Sequence, residues 1–228
     1  MSVFEEFMGK LIVIEGIDGS GKNTQAKLLL SRLEQEGYKV GALSFPDYES
    51  FFGKEVARYL NGEFGDVKDV HPKLISMLYA GDRYLSKPKI LETLKSCNYL
   101  ILDRYVSSNV GHQASKIDDL DERNAMIQWI LELEYGQYAL PKPDATIFLD
   151  VPPSFSDELV LKKAARSYTD KKKDLHEGDK QHLLQAYNTY TSLAKSQADW
   201  HLLDCTQDNE LLSIEEISEK LLRLCLTI

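Results

Sequence analysis

Eight residues, Gly16-Ile17-Asp18-Gly19-Ser20-Gly21-Lys22-Asn23, constrain the fold of this chain more than any other stretch. They match the pattern G-x-x-x-x-G-K-[ST] except at the last place, where Asn23 stands for the hydroxyl residue. The glycines let the backbone curl closely enough to point N–H groups at phosphate oxygens. Lys22 adds charge at the start of a helix whose dipole favours anions. A loop of this kind needs a buried strand before it and a helix after it, and the sequence supplies both. Lys10 to Glu15 is a short β-branched apolar run, as expected for a strand covered on two faces. Ala26, Leu29, Leu30 and Leu33 then recur at helical spacing until Gly37, a C-cap candidate. The loop implies a nucleoside triphosphate, with Gly16, Ile17, Asp18, Gly19, Ser20, Gly21, Lys22, Asn23 and Thr24 as its contacts.

Four further apolar segments alternate with helical stretches: Tyr38 to Phe45, Tyr99 to Asp103, Ala145 to Asp150 and Trp200 to Asp204. This alternation predicts an α/β fold with a five-stranded, mostly parallel sheet and helices on both faces. Helices are expected over Lys54–Leu60, Pro72–Leu85, Lys89–Lys95, Asp121–Leu133, Phe155–Arg166, Asp179–Ala198 and Ser213–Leu226, with Pro88 dividing one long pattern in two. The 228 residues, 43% of them hydrophobic, carry no repeat or low-complexity linker and suit a single domain. Cys97, Cys205 and Cys225 are odd in number and widely spaced, which speaks for buried free thiols in a reducing compartment and against a disulfide framework or zinc site. A net charge of -9 disfavours a broad nucleic-acid surface. The N-terminal Glu5 and Glu6, and the lack of any apolar run near the ~18 residues that span a bilayer, point to a cytoplasmic protein without membrane association.

In an open parallel sheet the ligand crevice lies at the carboxyl ends of the strands. The segment Tyr99 to Leu102 runs into Asp103-Arg104-Tyr105, which places a carboxylate and a guanidinium at the edge where the phosphate loop also opens. Asp103 stands where such nucleotide-binding proteins keep a metal-side carboxylate, and Arg104 offers a planar fork for phosphate. A turn-side ion pair is the plainer alternative for the two.

With these residues assembled, the chain resembles the thymidylate kinases, P-loop enzymes that move the ATP γ-phosphoryl to dTMP. The resemblance rests on Glu15 to Gln25, Phe45-Pro46-Asp47-Tyr48, Leu78 to Tyr84, Asp103 to Asn109, Pro143-Asp144, Phe148 to Pro152 and Asp174-Leu175-His176-Glu177, in that order along nearly the whole chain. It implies a P-loop kinase fold over residues 1–228 with a mobile lid near 166–178. It further implies Mg²⁺, ATP as co-substrate, dTMP as acceptor and a homodimer. Asp18 would lie beside the deoxyribose, and Arg104 would hold the dTMP phosphate. Ser108 and Asn109 would add neutral hydrogen bonds. Tyr79 and Arg83, four apart on a helix, would clamp the thymine; without the resemblance Tyr79 reads as core and Arg83 as a surface charge. Tyr48 is placed by the sugar. His112 is placed near the 2′ position, an uncommitted histidine being the alternative.

The charge run from Arg166 reads by itself as a solvated face. The resemblance makes it a lid. Gly19 takes the place of a loop arginine found in some relatives, so the migrating charge would be met from the lid by Arg166 with Lys171 and Lys173, alongside the catalytic Lys22 and Asp18. Asp174 and Glu177 would close over dTMP. Mg²⁺ would be held by Asn23 and, through water, Asp103. Three departures stand out: Asn23 for Ser/Thr, Asp47 where relatives carry a basic residue, and Leu175 where lids carry arginine. They keep open a related deoxynucleotide or nucleoside kinase, or a nucleotide-binding regulator with impaired transfer.

Overall fold

The computed structural model describes residues 8–65, 69–156 and 180–228. Five parallel strands, β1 (Lys10–Glu15), β2 (Val40–Ser44), β3 (Tyr99–Asp103), β4 (Ala145–Asp150) and β5 (Trp200–Asp204), form one sheet in the order β2-β3-β1-β4-β5. The strand that feeds the glycine loop is therefore central. It pairs with β3 on one side, Leu11 opposite Leu100, and with β4 on the other, Val13 opposite Thr146.

Alternation along β1 sends Leu11 and Val13 to one face of the sheet and Ile12 and Ile14 to the other, and all four are buried. Removing each from water contributes about 1.5–3 kcal/mol. On the Ile12 face, α1 (Lys22–Gln35) and the C-terminal helix α7 (Ile214–Thr227) cover the sheet with Leu29, Leu33, Leu221 and Leu222. A capping box between Ser213 and Glu216 opens α7. On the Leu11 face, α3 (Pro72–Ser96) and α5 (Leu120–Leu131) pack Ile90, Leu94, Met126 and Ile130. A third cluster joins Ile17 of the glycine loop and Phe148 of β4 to Ala186 and Tyr190 of α6 (Lys180–Ser196). Cys97, Cys205 and Cys225 are free and buried. Among the described residues no helix is long and apolar enough to cross a membrane.

The five strands follow the sequence prediction, and β2 is shorter at both ends than Tyr38 to Phe45. The helices differ in four informative places. The helix α2 (Phe51–Leu60) begins three residues before Lys54, because the Ser50 hydroxyl caps it by accepting from Gly53 N at 2.8 Å. Pro88 does not divide α3. Proline cannot donate to the Tyr84 carbonyl, but both residues lie on the exposed face, where solvent can satisfy that oxygen, while Ile90 and Leu94 anchor the turns beyond. A short helix α4 (Val106–Asn109) runs directly into a π-helical turn, Val110–Ala114, which the apolar pattern did not foretell. A second π-helical turn, Glu132–Gln137, extends α5. A two-stranded hairpin, β6 (Thr206–Gln207) with β7 (Glu210–Leu211), reverses at Asp208 and Asn209, both in the left-handed region that such a turn requires.

Candidate active site

The glycine loop wraps the N-terminus of α1. Gly19 and Gly21 take φ of +83°, open to glycine at little cost. No side chain caps α1, so its first N–H groups stay available to an anion. Lys22 folds back over the loop and donates from Nζ to the Ile17 carbonyl at 2.7 Å. Burial, with Arg104 nearby, pushes its ammonium down to about 8, against the pull of Asp18, Asp103 and Glu15. An incoming phosphate would restore the charge. The Ser20 hydroxyl is buried in the loop without a partner. Asn23 and Thr24 are exposed, and Asn23 Nδ2 donates to Asp103 Oδ2 at 3.3 Å across the mouth of the sheet.

The turn after β3 holds Arg104 at φ +70°, a left-handed conformation that strains a non-glycine residue by about 1–3 kcal/mol. It aims the guanidinium back at the loop, where Nη2 pairs with Asp18 Oδ1. Nη1 reaches Ser108 Oγ at 3.4 Å and His112 Nε2 at 3.0 Å. A guanidinium only donates, so Nε2 accepts and the His112 proton sits on Nδ1, which faces His182 Nε2 at 3.4 Å. Burial works against the Arg104 charge, but Asp18 foremost among its neighbours outweighs it, and the group is held firmly protonated. Beneath the turn, Glu15 is fully buried and accepts from Ser107 Oγ at 2.7 Å and Ser108 Oγ at 2.8 Å. This carboxylate ties the end of β1 to α4 and sets the angle at which the helix leaves the sheet.

Arg104 and Asp18 form one end of a cleft of about 220 Å³. Tyr48, Tyr79, Arg83, Ser108, Asn109 and His112 line it further, so the structure gathers the acceptor-side residues expected from the sequence in one place. Arg83 is not a surface charge: it is 1% exposed and makes a two-pronged ion pair with the equally buried Glu134, at 2.5 and 2.7 Å. Burial opposes its charge and Glu134 restores it, for a net upward shift. The same carboxylate accepts from Asn109 Nδ2 at 2.8 Å, and the Ser76 carbonyl takes that amide's other proton at 3.1 Å. Because Glu134 only accepts, the orientation of the Asn109 amide is fixed. Its Oδ1 is left buried and without a partner among the described residues.

Several residues the sequence reading passed over hold this cleft in shape. Asp82, 1% exposed, accepts from Asp47 N at 2.8 Å and Ser50 Oγ at 2.5 Å, pinning the turn that carries Phe45, Pro46 and Tyr48. The Phe45–Pro46 bond in that turn is cis. Gly81 leaves room for Phe52, whose ring a Cβ would meet at 2.8 Å. Gln113 lines the cleft as well, and Glu134 stands behind Arg83 and Asn109. Asp47 itself is exposed and turned onto its own loop, accepting from Glu49 N at 3.1 Å.

A phosphate loop facing a separate polar cleft across one sheet edge is a two-ligand arrangement, and comparison with known proteins assigns it. The family model for thymidylate kinase matches residues 14–217. The chain belongs to the thymidylate kinase family. It is 31% identical over 157 residues to the thymidylate kinase of Mycobacterium tuberculosis, covering 68% of this chain and 72% of that one. Against the human thymidylate kinase it is 32% identical over 143 residues, 63% of this chain and 61% of the relative. The solved structure of the Candida albicans thymidylate kinase superposes with a TM-score of 0.72 at 25% identity, covering 96% of this chain and 92% of that one. The P-loop kinase fold expected from the sequence is therefore the fold observed. Within this family's frame, the lid assignments Arg166, Lys171, Lys173, Asp174 and Glu177 lie outside the described residues, as do most of the predicted Phe155–Arg166 helix and the Leu175 departure.

Proposed function

We propose that this chain transfers the γ-phosphoryl group of ATP to dTMP, giving dTDP and ADP. The observation that carries the reading is the Asn109 Oδ1, a buried acceptor without a partner among the described residues, in a cleft also lined by Arg83. A thymine ring presents N3–H between two carbonyls. Its N–H suits Asn109 Oδ1, and a carbonyl suits the Arg83 Nη1 that Glu134 leaves unused. Cytosine would set its N3 lone pair against the same oxygen, and sites built on such buried polar groups reject a mismatched partner strongly. Tyr79 supplies aromatic surface for the base. Arg104, firmly charged, takes the acceptor phosphate; Asp18, Tyr48 and His112 flank the sugar.

On the donor side, the uncapped start of α1 and Lys22 cradle the triphosphate. A loose, metaphosphate-like transition state asks for alignment and charge stabilisation, which Lys22 and Arg104 provide without an external base. Mg²⁺ keeps several waters and needs only one or two protein oxygens beside substrate phosphates. Asp103 and the outward Oδ1 of Asn23 fit that demand, and no cluster of three or more His, Cys, Asp or Glu suited to a metal occurs among the described residues. When bound, the ion neutralises the donor phosphates. The exposed Leu74, Met77, Tyr84 and Leu85 of α3 support a homodimer through that helix. The three reduced, buried thiols support action in the cytoplasm.

Coupled ADP release with dTMP, dUMP, dCMP, UMP and thymidine as acceptors tests the reading. It expects dTMP to be fastest and dCMP and thymidine to stay near background. Equal use of dCMP, or no dTMP-dependent ADP with ATP and Mg²⁺ present, would overturn it.

A further inference from the structure

One half-buried cation stands behind the cleft wall without a carboxylate partner among the described residues. Lys116 follows the π-helical turn that carries His112 and Gln113, and its Nζ donates to Gln113 Oε1 at 2.7 Å and Tyr59 Oη at 2.9 Å. It lies off the hydroxyl edge of the Tyr59 ring, 5.3 Å from the centroid. No carboxylate among the described residues pairs with it. Burial pushes the ammonium down to about 7. A half-buried lysine that spends its donors on two side-chain oxygens invites a functional explanation.

Gln113 supplies one. It is 1% exposed, it lines the acceptor cleft, and its side-chain oxygen is occupied by Lys116. Lys116 Nζ donates to two side-chain oxygens here, and this contact turns the glutamine oxygen toward the lysine. The Nε2 end, with two N–H donors, has no partner among the described residues, and Gln113 lines the cleft. Gln113 stands four residues after Asn109, one turn along the same helical run. Asn109 offers an acceptor and Gln113 offers donors.

We propose that Lys116 is a positioning residue for acceptor recognition, locking the Gln113 amide so that its Nε2 donates to a carbonyl oxygen of the pyrimidine nucleotide. The idea rests on the acceptor-site reading given above. Without Lys116 the amide is free to turn its oxygen inward, where it would confront the base carbonyl instead of donating to it. Gln113 then contacts the substrate, and Lys116 acts through it.

The test compares Lys116→Met, Lys116→Arg and Gln113→Ala, singly and as the Lys116→Met/Gln113→Ala double variant, by steady-state kinetics with dTMP and by thermal unfolding. Lys116→Met should raise the KM for dTMP three- to tenfold with kcat within twofold, while the melting temperature moves by only a few degrees, since relief of a half-buried charge offsets the donor lost to Gln113 Oε1 and Tyr59 Oη. Lys116→Arg, which keeps a donor, should recover at least half of the loss in KM. In the Gln113→Ala background Lys116→Met should have no further effect on KM, since the two act as one unit. A Lys116→Met protein with an unchanged KM, with a melting temperature lowered by more than a few degrees and an equal loss in kcat, or with effects additive to Gln113→Ala would overturn the proposal. If the wild-type protein itself makes no dTDP, the fault lies with the acceptor assignment. If it does and these variants behave otherwise than expected, the fault lies with Lys116.

Discussion

Replacing Glu134 by glutamine removes one charge and little volume from the most buried ion pair among the described residues. Arg83 is 1% exposed and Glu134 fully buried, so the variant leaves a guanidinium in the interior without its counter-ion. Breaking such a pair from one side destabilises by about 3–5 kcal/mol. Unfolding entropy of about 2.1 cal/mol/K per residue over 228 residues gives roughly 0.5 kcal/mol/K, so the melting temperature should fall by about 6–10 °C. Glu132→Gln is the control, being two residues away but exposed, and should move it by less than about 1 °C. The pair is weak evidence for stability as such: an Arg83→Met/Glu134→Leu protein should lose less than Glu134→Gln, about 1–3 kcal/mol, because an apolar pair often replaces a buried ion pair neutrally and the remaining cost is the Asn109 Nδ2 left without its acceptor. That same double variant should lose dTMP turnover, since Arg83 and the Glu134-held Asn109 amide are both needed to read the base. Circular dichroism melts and the coupled ADP assay together decide the matter. A shift under about 2 °C for Glu134→Gln, or a double variant that still uses dTMP normally, would refute the reasoning.

Two further outcomes follow from the donor side. Gly16→Ala would place a Cβ 2.4 Å from Ser20 Oγ and 3.3 Å from Lys22 Cγ, so the Ser20 hydroxyl must turn and the Lys22 stem give by a few tenths of an ångström; the KM for ATP should rise several-fold while the dTMP affinity, measured by titration, stays within twofold. Lys22, held near 8 by burial, is partly neutral at pH 8, and a bound triphosphate favours its charged form. ATP binding should therefore take up protons between pH 7 and 9, seen as a calorimetric enthalpy that depends on the ionisation enthalpy of the buffer. No buffer dependence in that window would contradict the burial of Lys22.

The strands and the phosphate loop were readable because each is encoded locally. Lys10 to Glu15 has to be buried on both faces, and the glycines after it have few other uses. Arg104 was readable because strand ends in a parallel sheet converge on one edge, and Asp18, which it meets there, through the resemblance of its loop to the thymidylate kinases. What stayed hidden acts at long range or through geometry that propensity does not carry. Glu134 meets Arg83 across 51 residues, and Lys116 meets Tyr59 across 57. Neither partner has a sequence signature beyond its charge. The Asp82 carboxylate sat beside a residue already singled out, yet only the pinned turn at Asp47 and Ser50 shows its use. Pro88 misled because helix-breaking rules describe an average environment, and here the broken hydrogen bond lies on the solvent side.

The account stands or falls on the cleft holding dTMP by two separate grips, the base at Arg83 and Asn109 and the phosphate at Arg104. Equilibrium titration of dTMP and thymidine onto the wild-type and Arg104→Ala proteins measures this directly. The expected result is that Arg104→Ala weakens dTMP at least about tenfold, consistent with the roughly 1.5–3 kcal/mol of a hydrogen bond to a charged group, and leaves thymidine within twofold. Equal losses for both ligands, or none for either, would contradict it.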